Sequence, residues 1–107
     1  MLTVEELLKQ LSVEAKRSLA STVSDADILD ILANDENKFV RAAAMANKAI
    51  REETVNSHIS DKEYLVRLAV ANSPKASIKI LIILKSDKEL GIRYAAERNL
   101  KTTQKNS

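Results

Sequence analysis

Apolar residues recur along this chain at helical spacing, and the pattern itself repeats. Val40, Ala43 and Ala44 stand at i, i+3 and i+4, as do Val66, Ala69 and Val70, and then Ile92, Ala95 and Ala96. Such a set falls on one stripe of a helix, and its small members let a neighbouring helix approach closely. A second set precedes each of these: Ile28, Leu29 and Leu32, then Thr54, Val55 and His58, then Ile80, Leu81 and Leu84. Its spacing is also helical. Each unit therefore reads as two short helices, and corresponding positions lie 26 residues apart.

Boundary signals fit the same frame. Thr3-x-x-Glu6, Ser60-x-x-Glu63 and Ser86-x-x-Glu89 have the form of capping boxes, and Ser73-Pro74 reads as a cap followed by proline at a first helical position. The second helix of each unit ends near Asn47, Asn72 or Asn99, a residue type that tolerates the left-handed conformation common just past a helix. SVEAKRSLAST at residues 12–22 reads as a degraded first unit, with Arg17 aligned to Arg41 and with Leu19 and Ala20 at the small apolar positions. A divergent terminal unit is expected, because it has a neighbour on one side only. With the opening TVEELLKQL, about four units and about eight short helices result. They form one domain over residues 1–100, followed by a frayed C-terminal tail at 101–107 that lacks an apolar anchor.

Composition narrows the class. Glycine and proline occur once each, and only Phe39, Tyr64 and Tyr94 are aromatic, whereas Ala, Leu, Lys and Glu are abundant. Tight turns and strands need more of the former and helices use the latter, so the predicted fold class is all-α. The absence of cysteine removes disulfides, thiolate nucleophiles and cysteine metal sites, and points to a cytoplasmic location. The N-terminal segment carries glutamates where a signal peptide carries positive charge, and ILIIL at 80–84 is too short to span a bilayer, so no membrane association is expected. The net charge of +2 divides unevenly: residues 1–55 hold ten acidic and seven basic side chains, residues 56–107 five and ten.

The chemistry-bearing motif is a spaced pair. Asp35, Asp61 and Asp87 each precede an arginine by six residues, namely Arg41, Arg67 and Arg93. The D-x5-R spacing and the V-R-x-x-(V/A) helix resemble HEAT-like repeats, and VRLAVANSPKASIKILIILKSDKELGIR is similar to the leucine-rich-repeat-variant pattern. The resemblance covers about residues 12–100. It implies a short right-handed helical-repeat solenoid whose role is to bind another macromolecule, with the six Asp and Arg residues forming a structural ladder between successive units. Arg's planar fork suits a partly buried carboxylate or backbone carbonyl.

No catalytic constellation accompanies the repeat. His58, the only histidine, stands where the other units have Leu32 and Leu84 and reads as a packed core side chain, with no nucleophile and orienting carboxylate beside it in sequence. No metal-ligand spacing is present, and no cofactor is expected. The chain is accordingly expected to be non-enzymatic. HEAT-like hydroxylases carry repeated His-Glu pairs, which this sequence lacks.

The candidate partner-binding residues come from two places. In KASIKILIILK at 75–85, turning Ile80, Leu81 and Leu84 inward places Ile82 on the opposite side with Ile78 one turn away, rimmed by Lys75 and Lys79. An apolar pair in a charged rim suits a protein partner or self-association. Tyr64, Tyr94 and Phe39 flank the ladder arginines, where they act as groove anchors or as packing spacers. The leading function is thus a protein-binding adaptor, scaffold or inhibitor able to stand alone. The alternative is nucleic-acid binding through Lys75, Lys79, Lys85, Lys88, Arg98, Lys101 and Lys105.

Overall fold

In a computed structural model, which describes residues 1–105, the chain forms eight α-helices and no strand among those residues. They are α1 (Val4–Lys9), α2 (Val13–Thr22), α3 (Ala26–Leu32), α4 (Lys38–Ala46), α5 (Glu52–Asn56), α6 (Tyr64–Asn72), α7 (Ile78–Leu84) and α8 (Leu90–Lys105). The even-numbered helices make one continuous row, α4 packing on α2 and α6, and α6 on α8. Helix α3 packs on α2 and α4, and α7 on α8. The whole measures 46 × 28 × 19 Å.

The 26-residue period governs burial. Val40, Val66 and Ile92 are fully buried, as are Ala44, Val70 and Ala96 on the same even-numbered helices and Leu29, Val55 and Leu81 on α3, α5 and α7. These side chains belong to one contiguous core, which takes in residues from Leu8 to Leu100. Sites that hold Leu in two units hold His58 in the third. His58 is buried, and its Nδ1 lies 2.8 Å from the Thr54 carbonyl oxygen. A carbonyl only accepts, so that nitrogen carries the proton and donates.

Helix starts follow short polar side chains. Thr3, Ser12, Asp25, Asn37 and Ser77 each accept a backbone N–H from the first turn of the helix they precede. The expected caps at Ser60 and Ser86 are not used, because α6 and α8 begin at Tyr64 and Leu90, past Glu63 and Glu89. Asp61 and Asp87 turn the chain there instead, their carboxylates accepting the N–H of Glu63 at 3.0 Å and of Glu89 at 2.9 Å. Ser73-Pro74 likewise opens a turn and not a helix: α7 starts four residues later behind Ser77.

Two other expectations are corrected. Among the described residues no non-glycine residue has a positive φ, and Asn47 ends α4 in extended geometry, φ −77° and ψ 128°. Asparagine is used there for its side chain, not for a left-handed backbone. The helix α8 also runs on to Lys105, so the expected frayed tail is helical over 101–105; Leu100 on α8 is buried and anchors the preceding turn. Residues 106 and 107 lie outside the described residues.

Candidate partner-binding surface

The ladder residues meet across units. Arg41 donates from Nε to Asp61 Oδ2 at 3.0 Å and from Nη2 to Asp61 Oδ1 at 3.1 Å, a two-point grip on the carboxylate 20 residues on. Its Nη1 donates to the carbonyls of Asp35 and Glu36 at 3.0 and 3.1 Å. Arg67 repeats the arrangement with Asp87 Oδ2 at 3.0 Å and the Asp61 carbonyl at 2.9 Å. Each arginine therefore binds the carboxylate of the following unit and the main chain of its own. Both arginines are buried, and both carboxylates are nearly so.

Burial by itself would raise the Asp61 carboxyl pKa, but the hydrogen bonds from Arg41 and from the Glu63 N–H, with the charges of Arg41 and His58, together hold it below the ordinary range. Asp61 thus stays ionised inside the stack.

The first rung uses a residue that the sequence reading did not single out. Lys16, not Arg17, reaches Asp35, with Nζ 2.8 Å from Oδ1 and both side chains buried at about a tenth exposure or less. Arg17 is exposed and lies over the Phe39 ring, 5.2 Å from its centroid, beside Lys38 at 5.5 Å. Sequence alignment set Arg17 against Arg41 and gave Asp35 no partner in the first unit. The signal that identifies the lysine is distance along the chain, 19 residues before Asp35 against 20 for the other rungs.

A second bridging register was also missed. Asn47 Nδ2 donates to the carbonyls of Ala20 and Val23 at 2.9 and 2.7 Å, closing the C-terminus of α2. Asn99 does the same for α6, donating to Ala71 at 2.9 Å and Ser73 at 3.1 Å. The register is Asn47, Ser73, Asn99, and Asn72, which looked equivalent, is one residue out of it and exposed.

All three aromatic residues of the chain are exposed, on three successive helices of the even-numbered row: Phe39 on α4 at 41%, Tyr64 on α6 at 41% and Tyr94 on α8 at 69%. Leu65 on α6 and Leu90 on α8 are exposed beside them. Tyr64 crosses to α8, where a Cβ added to Gly91 would stand 2.2 Å from its hydroxyl oxygen. Gly91 has no positive φ, so the single glycine serves this close approach and no special backbone conformation. Sequence spacing places Tyr64 and Tyr94 near the ladder but does not reveal that contact.

Ile78 and Ile82 are exposed at 47% and 57% on α7, with Lys75 and Lys79 exposed beside them. Ile83, at 50%, enlarges that apolar patch beyond the two positions read from sequence. It belongs to α7 and not to the even-numbered row, so the candidate residues form two surfaces and not one. Of the basic residues, Lys85, Lys88, Arg98 and Lys101 are exposed, and the side chain of Lys105 lies outside the described residues. Among the described residues no cluster of His, Asp or Glu has the geometry to hold a metal ion, and no helix is long and apolar enough to cross a membrane. Comparison with known protein families, with curated proteins and with solved structures finds no match for this chain.

Proposed function

We propose that this chain is a non-catalytic, cytoplasmic, HEAT-like helical-repeat module of about four units, a right-handed solenoid that binds a protein partner along the row of α4, α6 and α8. The observation that carries this reading is the placement of Phe39, Tyr64 and Tyr94, every aromatic residue of the chain, on the outside of that row. Aromatic side chains contribute most when buried, and rigid rings held at a surface are the usual anchors of an interface. Tyr64 is fixed by its seat on Gly91 and Phe39 lies under Arg17 and Lys38, so two of the three are held in place before any partner arrives. Each unit is held by its neighbours, which leaves one face of the row free for recognition.

The test is capture from host lysate, with and without nuclease, using the wild-type chain, a Phe39→Ala/Tyr94→Ala variant and an Ile78→Glu/Ile82→Glu variant. A nuclease-resistant protein retained by the isoleucine variant and lost from the aromatic variant supports this face. Loss from the isoleucine variant alone moves the site to α7. Lys75, Lys79, Lys85 and Lys88 have no ion-pair partner among the described residues, which favours a second reading, a phosphate backbone along this side. Nuclease-sensitive recovery whose affinity falls steeply with salt would establish that reading and remove the first.

A further inference from the structure

The stack repeats a groove as well as a pair of helices. Where the α5–α6 turn lies beside the end of α7 and the α7–α8 turn, an open groove of about 770 Å³ is lined by Arg67 and by the ladder aspartates Asp61 and Asp87. Its apolar lining is aliphatic: Leu84, half-buried Ile59, and Ile83 at 50% exposure. Both walls lie within residues 59–88, so neither chain end takes part in it. The volume suits a small ligand or a short extended segment.

The charge of this groove is one-sided. The acidic residues of its lining are Asp61 and Asp87, and each is already held, Asp61 by Arg41 at 3.0 and 3.1 Å and Asp87 by Arg67 at 3.0 Å. The lysines are free: Lys62 on one turn and Lys88 on the other are exposed, with no ion-pair partner among the described residues. Ser60 and Ser86 are exposed beside them and offer hydroxyl donors. An aliphatic lining, two unpaired ammonium groups and two hydroxyls complement carboxylates that flank an aliphatic side chain.

A groove of about 610 Å³ in the first half of the stack has the same register and a different charge. Ile31, Asp35 and Glu36 stand there where Ile83, Asp87 and Lys88 stand here, two 26-residue periods on. Glu36 is exposed and is joined by Glu5, against Lys9 as the one lysine of that lining outside an ion pair among the described residues. The repeat therefore keeps the isoleucine and exchanges the charge.

We propose that the groove between Lys62 and Lys88 binds a short acidic segment of a protein partner, with one aliphatic side chain of that segment seated on Ile59 and Ile83 and its flanking carboxylates taken by the two lysines. A polynucleotide is the poorer fit, because no aromatic residue lines the groove for a base to stack on. The acidic helix α1 of a second copy is poorer too: its Glu6 already accepts from Thr3 Oγ1 at 3.2 Å and its Leu8 is buried in its own core. The groove shares no residue with the Phe39, Tyr64 and Tyr94 face, so this inference goes beyond the reading above and either can fail alone.

The probe is the peptide acetyl-Glu-Glu-Leu-Glu-Glu-amide, titrated into the full chain labelled with ¹³C at the isoleucine δ1 methyls. The expected result is a saturable shift of the Ile59 and Ile83 signals while Ile31, in the acidic groove, stays in place. The shift is lost with the Gln-Gln-Leu-Gln-Gln peptide, weakened about tenfold or more by Lys62→Glu/Lys88→Glu, and unaffected by Lys48→Glu. Lys62→Gln/Lys88→Gln serves if the glutamate variant is unfolded, and it too must weaken binding. No saturable change at Ile59 and Ile83, equal shifts at Ile31, equal binding of the glutamine peptide, or an unchanged affinity in both lysine variants would overturn the proposal. So would movement of these methyls with protein concentration alone, which assigns the groove to a second copy, or with a DNA duplex at lower concentration than the peptide, which assigns it to a phosphate backbone.

Discussion

Removing Arg67 is the most direct probe of what holds the units together. In the wild type its Nε grips Asp87 and its Nη1 satisfies the Asp61 carbonyl, with 6% of the residue exposed. Arg67→Ala leaves the Asp87 carboxylate with the Glu89 N–H as its remaining partner and the Asp61 carbonyl without its donor. Deleting one member of a buried pair costs about 3–5 kcal/mol, because a charge stays behind in a poorly solvated place. Against a total of about 5–15 kcal/mol for a domain this size, the variant sits near the edge of folding. The expected reading is a fall of roughly 15 °C in Tm, or a lower urea midpoint with an unchanged m-value. Arg93→Ala is the internal comparison, since among the described residues it removes one internal hydrogen bond and strands no carboxylate; its cost is about 1 kcal/mol. Arg67→Met with Asp87→Leu should recover part of the loss, because no buried charge is left unpaired, while the Asp61 carbonyl and the Glu89 N–H still lose their partners. Equal Tm values for Arg67→Ala and the wild type, or equal costs at Arg67 and Arg93, would refute the account.

Asp61 predicts a pH response. Its folded pKa lies below the ordinary 3.8, so the rung contributes its full stability above that value and loses it as pH falls through the depressed pKa; Asp61→Asn should flatten this acid limb in urea melts taken between about pH 5 and 2. Asn47→Ala frees the Ala20 and Val23 carbonyls and should cost about 1–3 kcal/mol by chemical denaturation, while Asn72→Ala, one residue out of register, stays within about 0.5 kcal/mol. Gly91→Ala gains about 1 kcal/mol of helix propensity but pushes the Tyr64 ring aside, so Tm changes little while the Tyr64 ring resonances move. Unmoved Tyr64 signals in that variant would show that the ring does not rest on Gly91.

The sequence by itself determined the helices, their period and most of the core. Position 40 and its equivalents, and position 29 and its equivalents, are buried in every full unit, because a 3.6-residue turn converts apolar spacing directly into a face. It also determined that Ile78 and Ile82 lie outside, since a helix cannot turn opposite sides inward at once. Loop detail was less legible. Ser60-x-x-Glu63 satisfies the local capping pattern, yet Asp61 wins the turn because its carboxylate serves the Glu63 N–H and Arg41 of the preceding unit together. Lys16 prevailed over Arg17 for a similar reason: reach to Asp35, not residue type, decides the rung. What only the tertiary structure decided are the partners of groups brought together across units. Which aspartate each arginine grips, which carbonyls Asn47 and Asn99 close, and what rests against Gly91 all depend on distances between helices 20 to 28 residues apart. A hydrophobic period fixes which face each helix turns inward, but the docking of one helix on the next fixes which polar atoms come within reach of one another.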